Sequence, residues 1–135
     1  MNLLEWNEEY SVKIGKIDEQ HKKLLDFINR LFDAMHTGRG NEVISEILDG
    51  LTIYTVNHFR TEEQLMISHS YSDFEIHKNE HQSLVNKLNI IKAKHRKGHQ
   101  NLSSELSVFL KKWLITHILC TDKIMARYLQ NKGIK

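Results

Sequence analysis

The stretch that decides the fold is Phe74–Leu88, FEIHKNEHQSLVNKL. Phe74, His77, His81, Leu84 and Leu88 recur at spacings of three and four, so a helix places all five on one stripe. Two histidines therefore stand where the pattern calls for apolar side chains. The stripe runs on to Ile91 and predicts a helix over about 73–95. Outward from it the chain breaks at Thr37–Asn41 (TGRGN), Ser68–Asp73 (SHSYSD) and Arg96–Asn101 (RKGHQN). No proline occurs among the 135 residues, so nothing interrupts the stretches between those breaks.

Each remaining stretch has the same period. Leu24, Leu25, Ile28, Leu31, Phe32 and Met35 mark a helix over about 18–36, with Asp18 as its expected N-cap. Ile44, Ile47, Leu48, Leu51, Tyr54, Leu65 and Met66 mark one over about 41–67. Leu102, Leu106, Phe109, Leu110, Trp113 and Ile124 mark a fourth over about 101–130. Residues 1–17 lack a sustained period and are expected to form an extended arm over the bundle. Four amphipathic helices with short connections predict an all-α fold, an up-down-up-down antiparallel four-helix bundle, in a single domain spanning 1–135.

Composition narrows the function. Lys and Arg number 19 against 17 Asp and Glu, a formal charge of +2 that suggests no nucleic-acid or acidic-membrane partner. A single cysteine excludes an internal disulfide framework and favours a reducing compartment. The opening MNLLEWNEEY has neither the basic nor the apolar region of a secretory signal, and no apolar run approaches the ~20 residues of a membrane span. A cytoplasmic protein is expected. Nine histidines remain to be explained.

Five of them fall on the apolar stripes. His21 lies one turn before Leu24 and Leu25; His58 and Glu62 continue the inward face of helix two; His77 and His81 interrupt that of helix three; His117 follows Trp113 by one turn, with Asp122 beyond it. Burying five imidazoles and two carboxylates without partners would cost several kcal/mol for each unpaired group. A cation that accepts imidazole and carboxylate lone pairs removes that cost. Seven ligands exceed the coordination of one ion, so two ions are implied.

In these segments the sequence resembles the hemerythrins, specifically the single-domain bacterial ones. The resemblance rests on Ile17-Asp18-Glu19-Gln20-His21, His58-Phe59-Arg60-Thr61-Glu62-Glu63, His77-Lys78-Asn79-Glu80-His81 and Trp113-Leu114-Ile115-Thr116-His117-Ile118, with Asp122 after them and Trp6…Tyr10-Ser11-Val12 before. It implies two iron ions with a bridging oxo or hydroxo group. By the same resemblance His77, His81 and His117 hold one iron, His21 and His58 the other, and Glu62 and Asp122 bridge the pair. The first iron is then six-coordinate and the second five-coordinate, leaving one open position for dioxygen. Leu24, Phe59, Trp113, Leu114 and Ile118 would line the oxygen pocket. The implied function is reversible dioxygen binding for storage or delivery, and not catalysis. The chain contains no Glu-x-x-His, the motif of carboxylate-rich di-iron proteins, which agrees with binding over oxidation.

Five residues separate His117 from Asp122, and in a regular helix they advance about 500°, leaving the two about 140° apart. A local π-bulge is expected between them. Cys120 is expected to fill core space, a thiol close to the site being the sharper alternative. A tyrosine-proline turn, frequent in the family, is replaced here by Tyr71-Ser72, which affects only the loop. His36, His69, His95 and His99 are expected at the surface or in loops; His95 lies ~21 Å along its helix from His81. Lys87, Lys92, Lys94, Arg96 and Lys97 are expected to form a solvated face that complements the dipole of helix three. Three other functions share some of these residues. They are oxygen or redox sensing through a partner protein, peroxide consumption, and a zinc peptidase in which His77-Lys78-Asn79-Glu80-His81 supplies H-x-x-E-H with Glu80 as base.

Overall fold

The computed structural model describes residues 5–135; the first four residues of the expected arm lie outside them. Helix α1 spans Gly15–His36, α2 Gly40–Ser68 and α3 Phe74–Arg96. The fourth rod has three parts: α4 at Leu102–Thr116, a π segment at His117–Asp122, and α5 at Lys123–Asn131. Helix α1 packs on α2 and α4, and α3 packs on the same two, which closes an antiparallel four-helix bundle. Gly38 and Gly98 stand just past the ends of α1 and α3 with φ of 74° and 81°. That left-handed backbone is nearly free for glycine, and it stops each helix.

Two apolar clusters hold the rods together, one on each side of the buried histidines. The larger gathers Leu24, Leu25, Ile28, Leu31, Ile44, Ile47, Leu51, Leu84, Leu88, Leu106, Leu110 and Leu114. The smaller joins Val12, Ile14 and Ile17 to Met66, Tyr71, Met125, Ala126 and Leu129.

Sequence expectation and structure differ at four points around the arm and along the fourth rod. First, α1 begins at Gly15 and Asp18 is not its N-cap. Asp18 lies one turn inside, where its carboxylate accepts from Ser11 Oγ at 2.6 Å and Val12 N at 2.8 Å. It pins the arm, and Val12, Ile14 and Ile17 become part of the smaller core. Second, the arm is not wholly extended, since Glu8–Tyr10 form one 3-10 turn. Third, Ile124 is 56 % exposed. The π segment absorbs one residue, so the buried face beyond it moves on to Met125, Ala126 and Leu129. Fourth, Cys120 is exposed and fills no core space, because it lies on the outer side of that same wide turn.

The loop at residues 69–73 closes without proline. Ser70 takes a left-handed φ of 56°, and the Tyr128 hydroxyl donates to the carbonyls of His69 and Ser70. Of the basic cluster, Lys87 and Lys94 are not free in solvent but pair with Glu105 at 2.9 and 3.2 Å.

Candidate metal centre

Each rod delivers its polar residues from a position the apolar stripe sends inward. His21, His58, Glu62, His77, His81, His117 and Asp122 are all 2 % exposed or less. The π segment matters most for the last two. Its i→i+5 winding brings Asp122 back over His117, which the 140° separation of a regular helix would forbid.

The seven side chains meet as two groups that share their carboxylates. Glu62, His77, His81, His117 and Asp122 form one; His21, His58, Glu62 and Asp122 form the other. Glu62 Oε1 lies 3.1 Å from His77 Nε2 and 2.9 Å from His81 Nε2, while Glu62 Oε2 lies 3.2 Å from His58 Nε2 and 3.5 Å from His21 Nε2. Asp122 divides the same way. Its Oδ1 lies 3.0 Å from both His77 and His117 Nε2, and its Oδ2 lies 2.9 Å from His21 Nε2. Each carboxylate thus offers one oxygen to each histidine group.

The donor set fits metal ions better than it fits hydrogen bonding. His81 Nε2 and His117 Nε2 stand 3.2 Å apart. Their outer nitrogens, Nδ1, already donate to Glu63 at 2.9 Å and Glu80 at 3.0 Å, so in neutral rings both inner nitrogens carry lone pairs. His58 Nδ1 likewise donates to Gln20 Oε1 at 2.6 Å and turns a lone pair inward. Unsatisfied buried atoms cluster here: His21 Nδ1 and Nε2, His58 Nε2, His77 Nδ1, Glu62 Oε2 and both Asp122 oxygens. Buried polar atoms without partners are rare and costly. Adjacent ligands on an ion with bonds of about 2.1 Å lie about 3 Å from one another, which is the spacing seen here.

The electrostatics agree. Burial alone would pull the His21 and His77 imidazoles down, but Asp122 and Glu62 override it and hold both up to about 9. His117 is raised well above its usual range for the same reason, against the same burial. Burial raises the Glu62 and Asp122 carboxyls, and Glu62 further raises Asp122; the surrounding imidazoles outweigh this and lower both. Without a cation, the site can keep its two carboxylates ionised only by holding protons on its histidines.

Of the expected pocket residues, Leu24, Leu114, Ile118 and Phe59 are buried in the larger cluster, and Trp113 is half-buried against it. Phe59 stacks on His81 with centroids 3.8 Å apart, and Trp113 stacks on His117 at 4.4 Å. Both aromatics thus sit over the three-histidine group, and Phe59 also neighbours His58 of the other group, with centroids 5.7 Å apart. Glu80 is not aimed between His77 and His81, as a peptidase base would be. It accepts from His117 Nδ1 and from Thr121 Oγ1. His36 and His99 are exposed, His69 and His95 half-buried, and none joins either group. Sequence reasoning gave no role to Gln20 and Glu63, and named Glu80 only as the base of the peptidase alternative. They adjoin His21, Glu62 and His81 in sequence, but each meets a histidine of a neighbouring rod, a pairing that only the packed bundle reveals.

Comparison with known proteins identifies the family. The profile of the family described as "Hemerythrin HHE cation binding domain" matches residues 12–129. A bacteriohemerythrin of Methylococcus capsulatus is 36% identical over 125 residues, 92% of this chain and 95% of that protein. A myohemerythrin of Theromyzon tessulatum is 35% identical over 118 residues, 87% of each. The crystal structure of a wild-type hemerythrin superposes with a TM-score of 0.85 at 34% identity, covering 94% of this chain and 98% of that one. Profile, relatives and superposition all span nearly the whole chain, and the chain belongs to the hemerythrin family.

Proposed function

We propose that this chain binds dioxygen reversibly at a non-haem di-iron centre, for storage or delivery. The observation that carries the proposal is the division of the Glu62 and Asp122 oxygens between two histidine groups. His77, His81 and His117 would hold one iron, His21 and His58 the other, and Glu62 and Asp122 would bridge them together with an oxo or hydroxo group. Bound there, two ferrous ions supply the electrons that bind dioxygen and recover them on its release.

The protein's own part is to hold and to exclude. Gln20, Glu63 and Glu80 fix which nitrogen of His58, His81 and His117 faces inward. Leu24, Phe59, Trp113, Leu114 and Ile118 would line the oxygen site and keep water from it, which limits irreversible oxidation. No helix of the described residues is long and apolar enough to cross a membrane.

The test is spectroscopic. Reduced, iron-loaded protein should contain two irons per chain, develop a visible band in air, and lose it when oxygen is removed. A colourless protein with one zinc per chain overturns the proposal. So does steady oxygen-dependent turnover of an organic substrate.

A further inference from the structure

The outer nitrogens of the inward histidines are treated unequally. In the three-histidine group, His81 Nδ1 donates to the Glu63 carboxylate at 2.9 Å and His117 Nδ1 to the Glu80 carboxylate at 3.0 Å. In the two-histidine group, His58 Nδ1 donates to the neutral amide oxygen of Gln20 at 2.6 Å. His21 Nδ1 and His77 Nδ1 have no hydrogen-bond acceptor among the described residues. Two negative charges therefore back one group and none backs the other.

The acceptors are themselves held. Thr121 Oγ1 donates to both Glu80 oxygens at 2.8 Å, tying α3 to the π segment that carries His117. Gln20 Nε2 donates to Thr61 Oγ1 at 3.3 Å, which turns its oxygen toward His58. The amide orientation and the ring tautomers thus follow from one network, and a swap of amide for carboxylate changes charge while keeping shape.

An imidazole that donates to a carboxylate becomes a stronger electron donor at its other nitrogen, while a neutral amide orients the ring and adds little. We infer that Glu63 and Glu80 are positioning residues that make the three-histidine position prefer ferric over ferrous iron, and that Gln20 leaves the two-histidine position without that preference. The inference rests on the di-iron function proposed above. It adds an electronic order to the pair: the half-oxidised centre keeps its ferric ion on His77, His81 and His117.

The test uses the full, iron-loaded chain with Glu63→Gln and Glu80→Gln. Both carboxylates reach solvent, with side chains 25% and 36% exposed, so neither change buries a new polar group. Mediated spectroelectrochemistry should show the first one-electron potential raised in each variant, by the ~59 mV that matches a tenfold loss of ferric preference. Mössbauer spectra of the half-oxidised protein should show the ferric ion less localised. Cobalt(II) binding to the metal-free protein should weaken about tenfold in Glu80→Gln. Gln20→Glu should move the ferric preference toward the two-histidine position, which a merely structural role would not do. Unchanged potentials in both Gln variants, with two irons still bound, overturn the inference alone. If the unmodified chain does not bind two irons, the di-iron proposal falls with it.

Discussion

At the scale of single residues, the centre is defined by groups that no apolar core would tolerate unpaired. Glu62 and Asp122 are fully buried, and each faces both histidine groups. Glu62→Gln and Asp122→Asn keep volume but remove the charge that would bridge two cations. Each variant should fall from two irons per chain to one or fewer, measured by metal analysis, while circular dichroism stays helical. Leu114 is 1 % exposed and belongs to the apolar cluster beside His117. Leu114→Ala should cost ~2–5 kcal/mol in unfolding free energy. It should also speed autoxidation several-fold by admitting water, followed as decay of the oxygenated spectrum; an unchanged decay rate would remove Leu114 from the oxygen pocket. These residues were legible in the sequence because a charged or imidazole side chain on an apolar stripe is conspicuous. Gln20, Glu63 and Glu80 were not, since they lie off the stripe, where polar residues need no explanation. Their partners sit on other rods, and only the packing of the rods pairs them.

At the scale of the element, the π segment is the one departure from regular helix among the rods, and it was legible in a spacing. Five residues separate two side chains that must face one point, and only a wider turn achieves that. What the spacing did not carry forward was its consequence downstream. A regular 100° step places Ile124 inward, but the absorbed residue hands that place to Met125 and leaves Ile124 and Cys120 outside. The start of α1 was illegible for a related reason. Asp18 has the composition of an N-cap, yet it serves the arm, and the helix starts earlier because Ile14 and Ile17 are buried in the smaller core. The π segment makes an unequal prediction about length. Deleting Cys120 shortens the turn to a regular one in which His117 and Asp122 lie four residues and about 40° apart. Both faces keep their register, and the variant should still take up iron. Inserting an alanine after Cys120 swings Asp122 away and turns Met125 and Leu129 out of their cluster. That variant should lose iron and about 10 °C or more of melting temperature. Equal iron content in the two variants would show that the π segment does not set the position of Asp122.

At the scale of the whole molecule, two apolar clusters sandwich a polar layer, so the stability of the fold is linked to whatever neutralises that layer. In the metal-free protein the neutralising species are protons. His21 and His77 are held up to about 9 from an ordinary 6.5, because Asp122 and Glu62 outweigh the opposing effect of burial. A raised histidine contributes stability that is complete below 6.5 and is lost as pH rises through about 9. Burial opposes ionisation of Glu62 and Asp122, and Glu62 further opposes that of Asp122, but the imidazoles win and lower both; their contribution is present above about 4.5 and lost on acidification. The metal-free chain should therefore be most stable between about pH 4.5 and 6.5. It should weaken by roughly 3 kcal/mol or more between pH 6.5 and 9, the equivalent of one histidine shifted this far. The two histidines share their carboxylates, so their contributions do not simply add. A metal ion at the centre would replace the protons, so metal uptake should release them and strengthen as pH rises. Thermal melts across that window should then show a falling melting temperature for the chelator-treated protein and a nearly flat one for the iron-loaded protein. A metal-free protein whose melting temperature stays level to pH 9 would mean that its histidines are neutral when folded. The carboxylates would then be held by something other than protons or metal.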